Sequence, residues 1–301
     1  MRLNRKLFFS YLQAPIVLLI YGALIIIPLK PRRFFLSNFA KIIGPLLPVT
    51  RKAENNLALC YPESTQQFRK NIIADCWAHL GKIAAEFGSI TSIMNKKNNF
   101  TIEGSEHLDQ ALEKNKGVIF FSAHLGNWEV CYADVLHRKI PIKLIARRQR
   151  NPIADWLINR TRKSQGVDMI PRNSLGRKTL LKTLKSGGFI GALFDVYDSE
   201  GSFIPFFNHP AKTTTSLARI AHRLDFLMLP VQVIRKPNNH FTIRYYPSIE
   251  AKKHKDEKSI MSSVNDHITD WIQENPEQWL WLHDRWKVKE KDLGEVVEKF
   301  S

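Results

Sequence analysis

The string GVIFFSAHLGNWE, residues 117–129, sets His124 five residues ahead of the carboxylate Glu129, across a stretch containing Gly126 and Asn127. An imidazole oriented by a carboxylate can take the proton from a hydroxyl, while the carboxylate fixes the ring's tautomer and steadies the imidazolium that forms. Gly126 permits a tight turn, Asn127 can cap a following helix, and a first-turn Glu129 is favoured by the helix dipole. If the backbone folds back in this way, the Glu129 carboxylate reaches one imidazole nitrogen and leaves the other facing a site. The same spacing also fits a loop histidine followed by a helix-capping acid. Other chemistries find less support. There is no GxSxG nucleophile elbow and no HExxH zinc motif, and the ten histidines are dispersed. Cys60, Cys76 and Cys131 are odd in number and lack CxxC spacing, so neither a disulfide framework nor a structural metal site is indicated.

The elements that must carry His124 alternate in type. From Lys116 onward GVIFFSA, IKLIAR, VDMIP, FIGALFD and LMLPVQVI are short, apolar and rich in β-branched or aromatic residues, as strands buried on both faces are. NWEVCYADVLHR, NPIADWLINRTRKSQ and SLGRKTLLKTLKSG read as helices between them. The expected fold is α/β, a mainly parallel central sheet flanked by helices, with HFTIRYYPSI as an antiparallel edge. Ligands in such sheets sit beyond the carboxyl ends of the strands, where both His124 and Asp195 fall. The stretch from about Phe34 to Met94 reads as helical, with Ser64 as an N-cap, and a long helix is expected from about Lys258. Asn55, Asn56 and Arg69 carry no chemistry that spacing can assign.

Ahead of this body, Leu7 to Leu29 contains no ionised side chain and is long enough to cross a hydrocarbon core of about 30 Å at about 1.5 Å per residue. Arg2, Arg5 and Lys6 precede it, and Lys30, Arg32 and Arg33 follow. The run ends in IIIPLKPRRFF with no small-residue cleavage site, so an uncleaved anchor is expected. Basic flanks on both sides fit either a single span or a helix lying in the interface. The expected division is an anchor over 1–33 and one catalytic domain over 34–301. A net charge of +17 should draw the protein to anionic lipid or to an acidic partner. Nucleic acid is not expected, because the basic residues are scattered among acids and no nucleic-acid motif is present. KKHKDEK at 252–258 reads as a solvated loop.

AHLGNWE resembles the HxxxxD/E motif of the glycerolipid acyltransferase superfamily, in the Glu variant of the bacterial lipid A late acyltransferases, the lauroyl and myristoyl transferases. RRQRNPIADWLINRTRKSQGVDMIPR, FDVYDSEGSFIPFFNHPAKTTTSLARIA and PEQWLWLHDRWK resemble further blocks of that family in the same order. The resemblance implies transfer of a fatty acyl chain from acyl carrier protein, or less often coenzyme A, to a hydroxyl of a lipid A precursor, at the cytoplasmic face of the inner membrane. It implies His124 as general base with Glu129 as its partner, and no cofactor beyond the acyl thioester co-substrate. Backbone amides around Gly126 and Asn127, or an arginine, would stabilise the oxyanion. Asn127, Arg147, Arg148, Asn151, Arg162 and Asp195 are implied as substrate-binding residues, with guanidinium forks suited to phosphate. FDVYD departs from the family's usual string around Asp195. Thr213, Thr214 and Thr215 read as a helix cap, Trp279, Trp281, His283 and Arg285 as packing and surface contacts, and Phe203, Pro205 and Phe206 as an acyl groove wall or ordinary core. An acyltransferase for another glycolipid, aminolipid or lysophospholipid, or a non-catalytic membrane-tethered binder of lipid or carrier protein, fits many of the same features.

Overall fold

A computed structural model of the chain describes residues 22, 26–145, 151–171 and 173–287. The N-terminal part is helical: α1 (Leu29–Ile43), a 3-10 turn (Gly44–Leu46), α2 (Thr50–Cys60), α3 (Gln66–Glu86) and α4 (Ile90–Met94). Next come β1 (Phe100–Glu103), α5 (Ser105–Glu113), β2 (Val118–Ser122), a 3-10 turn (Trp128–Val130), α6 (Ala133–His137) and β3 (Ile142–Ile145). The alternation continues with α7 (Pro152–Ser164), β4 (Asp168–Ile170), α8 (Ser174–Lys185) and β5 (Phe189–Leu193). Then follow β6 (Ser202–Phe206), β7 (His209–Thr213), α9 (Ser216–Leu224), β8 (Leu227–Arg235), β9 (Phe241–Tyr245), β10 (Ile249–Glu250) and α10 (Glu257–Glu274), ahead of a 3-10 turn (Pro276–Gln278).

The main sheet runs β1-β9-β8-β2-β5-β3-β4, with β10 paired to β8. Strands β8, β2, β5, β3 and β4 are mutually parallel along this order. All five residues of β2 are buried, because helices cover both faces of the sheet. Ile119 and Phe121 enter one core cluster with Ile190 and Met228; Val118 and Phe120 enter the other with Phe189 and Leu229. That division follows the two-residue period of a strand.

Several expectations need correction. HFTIRYYPSI supplies a strand antiparallel to β8, but it is no edge, because β1 pairs parallel to it on its outer side. The four residues of β1 are too few to carry a legible period. NWEVCYADVLHR is not one helix: Tyr132, at φ −103° and ψ 12°, interrupts it between the 3-10 turn and α6. Thr65, not Ser64, caps α3, its hydroxyl accepting from Phe68 N at 3.1 Å. Strands β6 and β7 form a separate antiparallel hairpin, Ser202 pairing with Thr213 and Phe206 with His209.

The expected anchor falls mostly outside the described residues, and no helix among those described is long and apolar enough to cross a membrane. Helix α1 runs through the expected 33/34 boundary. Arg32 and Ser37 are buried on its inner side, while Phe34, Phe35, Phe39 and Ile42 are 63% to 68% exposed. It lies close on α3, where a Cβ at Gly81 would stand 2.3 Å from the Leu36 carbonyl oxygen.

Candidate active site

Strand β2 delivers His124 to the carboxyl end of the sheet, and a strap after α10 holds it there. Leu280 N donates to His124 O at 3.1 Å, Gly126 N donates to Gln278 O at 3.1 Å, and Leu125 bridges to Trp279 between them. Gly126 has φ +56°, and a Cβ there would lie 2.3 Å from Val233 O, so both the turn and its close approach to β8 require glycine. Its carbonyl is bonded at 3.0 Å to His79 Nε2. A carbonyl only accepts, so Nε2 carries the proton; burial, aided by the Arg235 charge, pushes the His79 pKa down to about 4 and keeps the ring neutral.

Parallel pairing aligns Leu193 with Ser122, and Phe194 N continues the register onto Ser122 O at 3.1 Å. Asp195 therefore stands beside His124. Its Oδ2 accepts from His124 N at 2.8 Å and from Trp279 Nε1 at 2.8 Å, while its Oδ1 lies 2.9 Å from His124 Nδ1. With an ionised carboxylate as acceptor, Nδ1 carries the proton, and the lone pair is left on Nε2. Nε2 has no hydrogen-bond partner among the described residues.

Burial opposes charge at both members of this pair. It would raise the Asp195 pKa, but the His124 charge and the hydrogen bonds from His124 and Trp279 hold it down at about 2. Burial would lower the His124 pKa, but the charge and hydrogen bond of Asp195, followed by the charge of Glu129, leave it above the usual histidine range. The carboxylate is 2% exposed and the imidazole 23% exposed, so the pair reaches the surface only at the ring.

Glu129 does not pair with His124. Its carboxylate is gripped by Arg162, Nη2 to Oε1 at 2.6 Å and Nε to Oε2 at 3.1 Å, a two-pronged contact that uses the planar fork of the guanidinium. The expected turn does form, with Asn127 Oδ1 accepting from Glu129 N at 3.1 Å. It points the carboxylate at the last turn of α7, where Arg162 waits, and Asp195 from β5 takes the place beside the imidazole. Glu129 still acts on His124 through its charge.

The other expected binding residues are distributed unevenly. Asn127 is fully buried, its amide nitrogen donating to Glu86 Oε2 at 2.6 Å, so both ends of its side chain are held by protein rather than offered to a ligand. Asn151 caps α7, accepting from Ile153 N at 2.9 Å and Ala154 N at 3.2 Å. Arg147 and Arg148 lie outside the described residues. Gly126 N, one expected oxyanion donor, is already bonded to Gln278 O. Thr213 is buried and accepts from Arg285 Nη2 at 2.6 Å, and Thr215 stands at the start of α9 without a side-chain cap. His283 Nε2 accepts from Tyr197 N at 2.9 Å. Trp279 was expected only to pack, yet its indole N–H reaches the Asp195 carboxylate. No spacing rule links positions 195 and 279, so this contact had no signal in the sequence.

An apolar pocket with about 60 Å³ of internal space adjoins this constellation, smaller than the roughly 300–1,000 Å³ usual for small-ligand sites. Glu129, Arg162 and Trp128 line it together with apolar side chains of the sheet face, among them Phe120, Leu144 and Val231. Phe203 and Phe206 are buried elsewhere, Phe206 against Trp279 and Trp286, so they wall no part of this cavity. Among the described residues no group of three or more His, Cys, Asp or Glu side chains could hold a metal ion.

A histidine hydrogen-bonded to a buried carboxylate beside an apolar pocket can serve proton transfer on an apolar substrate. Residues 4–288 match the family of bacterial lipid A biosynthesis acyltransferases. The chain belongs to that family. This acyltransferase is 29% identical over 243 residues to the lipid A biosynthesis palmitoleoyltransferase of Escherichia coli K12, covering 79% of this chain and 78% of that protein. It is 26% identical over 261 residues to the lauroyltransferase of the same organism, covering 85% and 81%. The solved 1-acyl-sn-glycerophosphate acyltransferase of Thermotoga maritima is 14% identical, with a TM-score of 0.40, over 84% of this chain and 100% of that one.

Proposed function

We propose that this acyltransferase moves a fatty acyl chain from a thioester, acyl carrier protein being the expected donor, to a hydroxyl of a lipid A precursor. The observation that carries the mechanism is the His124 Nδ1 contact with buried Asp195 at 2.9 Å, which leaves Nε2 as the basic nitrogen. The acceptor O–H gives its proton to Nε2 as its oxygen attacks the thioester carbonyl. The tetrahedral intermediate collapses with cleavage of the C–S bond, and the imidazolium returns the proton to the departing thiolate. No covalent acyl-enzyme is needed. Asp195 fixes the tautomer and stabilises the transient imidazolium, replacing Glu129 in that role.

Glu129 keeps a part in this scheme through Arg162. The pair lines the apolar pocket, whose walls suit part of an acyl chain, and Arg162 is a group there with the charge to stabilise a developing oxyanion. Membrane association follows from a lipid acceptor, and the exposed phenylalanines of α1 together with the +17 charge favour an anionic surface such as the inner membrane's cytoplasmic leaflet.

The test is transfer from acyl carrier protein charged with chains of different lengths to lipid A precursors, lysophospholipids and aminolipids, with wild type and His124→Ala. Activity on a lipid A precursor that falls by about 10²- to 10⁴-fold in a folded His124→Ala protein supports the reading. Transfer only to another lipid keeps the mechanism and moves the acceptor. If no acceptor shows His124-dependent transfer, the assignment falls in favour of a binder of lipid or carrier protein.

A further inference from the structure

Glu86, at the C-terminal end of α3, is 0% exposed yet carries a charge. Burial alone would raise its pKa, but hydrogen bonds and charge from Arg235, and then the charge of Arg33, hold it below the usual carboxylate range. Arg235 grips it with both Nη atoms, at 2.6 and 2.7 Å, Arg33 Nε adds a contact at 2.7 Å, and Asn127 Nδ2 donates at 2.6 Å. Three elements distant in sequence, α1, the end of β8 and the turn of the His124 motif, thus converge on one carboxylate.

Such a cluster is a poor choice for stability alone. Apolar residues of similar volume often stabilise a fold as well or better than a buried ion pair, because desolvation is costly. What the carboxylate adds is direction. A carboxylate accepts only, so it forces the Asn127 amide nitrogen inward and leaves Oδ1 to accept from Glu129 N. With that amide reversed, the cap that starts the 3-10 turn is lost, and Glu129 is no longer presented to Arg162. A second line runs from Glu86 through Arg235, whose backbone N and O are bonded to the Gln278 side chain at 2.8 and 3.0 Å. The Gln278 carbonyl in turn receives Gly126 N. The turn is therefore held from both sides by one group that lines no part of the pocket.

We propose that Glu86 is a positioning residue for acyl transfer, acting through Asn127 and through Arg235 and Gln278 to fix the turn that carries His124 and Glu129. This rests on the acyl-transfer reading given above. Misplacement of a catalytic group by about 1 Å can cost roughly 10²-fold in rate, and the loss should fall on kcat because no substrate contact is removed.

The experiment compares full-length wild type, His124→Ala, Asn127→Ala, Glu86→Gln and the Glu86→Gln/Asn127→Ala double variant in the same vesicles. kcat and both KM values are normalised to folded protein well below each Tm. Each single change at 86 or 127 should lower kcat by about 10- to 100-fold with KM values within about threefold, and the double variant should be no more than about threefold worse than the poorer single. The acid limb of the kcat/KM profile should move less than in Asp195→Asn, since the Asp195 contact, the leading cause of the raised His124 pKa, is untouched. Should Glu86→Gln fail to fold, Glu86→Gln/Arg33→Gln removes one cation with the anion and takes its place in the cycle. Folded Asn127→Ala with near-normal kcat, or losses that multiply in the double variant, would overturn the positioning role while leaving wild-type transfer intact. Wild type no more active than His124→Ala would instead remove the acyl-transfer reading, and the proposal with it.

Discussion

Asp195→Asn is the substitution whose outcome the geometry constrains most tightly. Three donors converge on this carboxylate: His124 N and Trp279 Nε1 on Oδ2, and His124 Nδ1 on Oδ1. An amide of the same shape has one acceptor oxygen. Turned one way, that oxygen serves His124 N and Trp279 Nε1, and the NH₂ faces Nδ1. Turned the other way, the NH₂ confronts two buried donors, each costing about 1–3 kcal/mol when left without an acceptor. The first arrangement is therefore favoured, and it has a chemical consequence. An NH₂ group facing Nδ1 requires that nitrogen to accept, so the imidazole proton moves to Nε2, the atom that must take the substrate proton. The fold survives, but the base is in the wrong tautomer. In the comparable change within the serine-protease triad the loss is about 10⁴-fold, and about 10²- to 10⁴-fold is expected in kcat here.

The lost charge adds a second signature. The Asp195 pKa, held down at about 2 by the His124 charge and by the hydrogen bonds of His124 and Trp279, means that the fold stabilises the carboxylate over its protonated form. This group's contribution to stability is present above pH 3.8 and fades as pH falls through about 2. His124 shifts the opposite way, its pKa raised above 6.5, so the charged pair is fully present below 6.5 and is lost as pH climbs through the raised value. As a base, His124 is active on the alkaline side of that value. Wild-type kcat/KM should thus rise with pH through an inflexion above 6.5, and in Asp195→Asn the residual activity should inflect at lower pH. Thiol release from an acyl thioester, followed in a pH series with circular dichroism as a folding control, measures both effects. A folded Asp195→Asn protein with wild-type kcat and an unmoved inflexion would refute the assignment of Asp195 as the orienting group.

Trp279→Phe removes one hydrogen bond to a charged group, worth about 1.5–3 kcal/mol, and should raise the Asp195 pKa while lowering kcat less than Asp195→Asn does; a larger loss than that of Asp195→Asn would count against a supporting role. Gly126→Ala combines φ +56° with a Cβ 2.3 Å from Val233 O, so Tm should fall sharply, and an unchanged melting curve would contradict the turn as described. Gly191 lines the pocket, and a Cβ there meets Leu144 Cδ2 at 2.6 Å. Gly191→Val should therefore narrow the cavity and depress transfer of longer acyl chains relative to shorter ones; an unaltered chain-length profile would place the acyl chain elsewhere.

The parts of this protein that were legible in the sequence are those governed by local periodicity. Strand β2 shows itself as an unbroken apolar run, α7 and α8 as spaced apolar faces, and His124 as the residue where a buried strand gives way to a glycine-containing turn. Features that depend on register were not legible. Asp195 was recognised as the end of a strand, but its place beside His124 follows from β5 pairing in parallel with β2 so that Leu193 meets Ser122, a fact no local window contains. Glu86 and Trp279 lie 38 residues before and 155 residues after His124, and each reaches the motif through tertiary packing alone. The spacing of His124 and Glu129 invited the inference that the two side chains touch. In the folded chain the requirement of a turn is met by Asn127, which caps the Glu129 amide and sends the carboxylate to Arg162. Five residues suffice to bring both groups to the same end of the sheet, and they leave open which acid orients the base; only the sheet decides that.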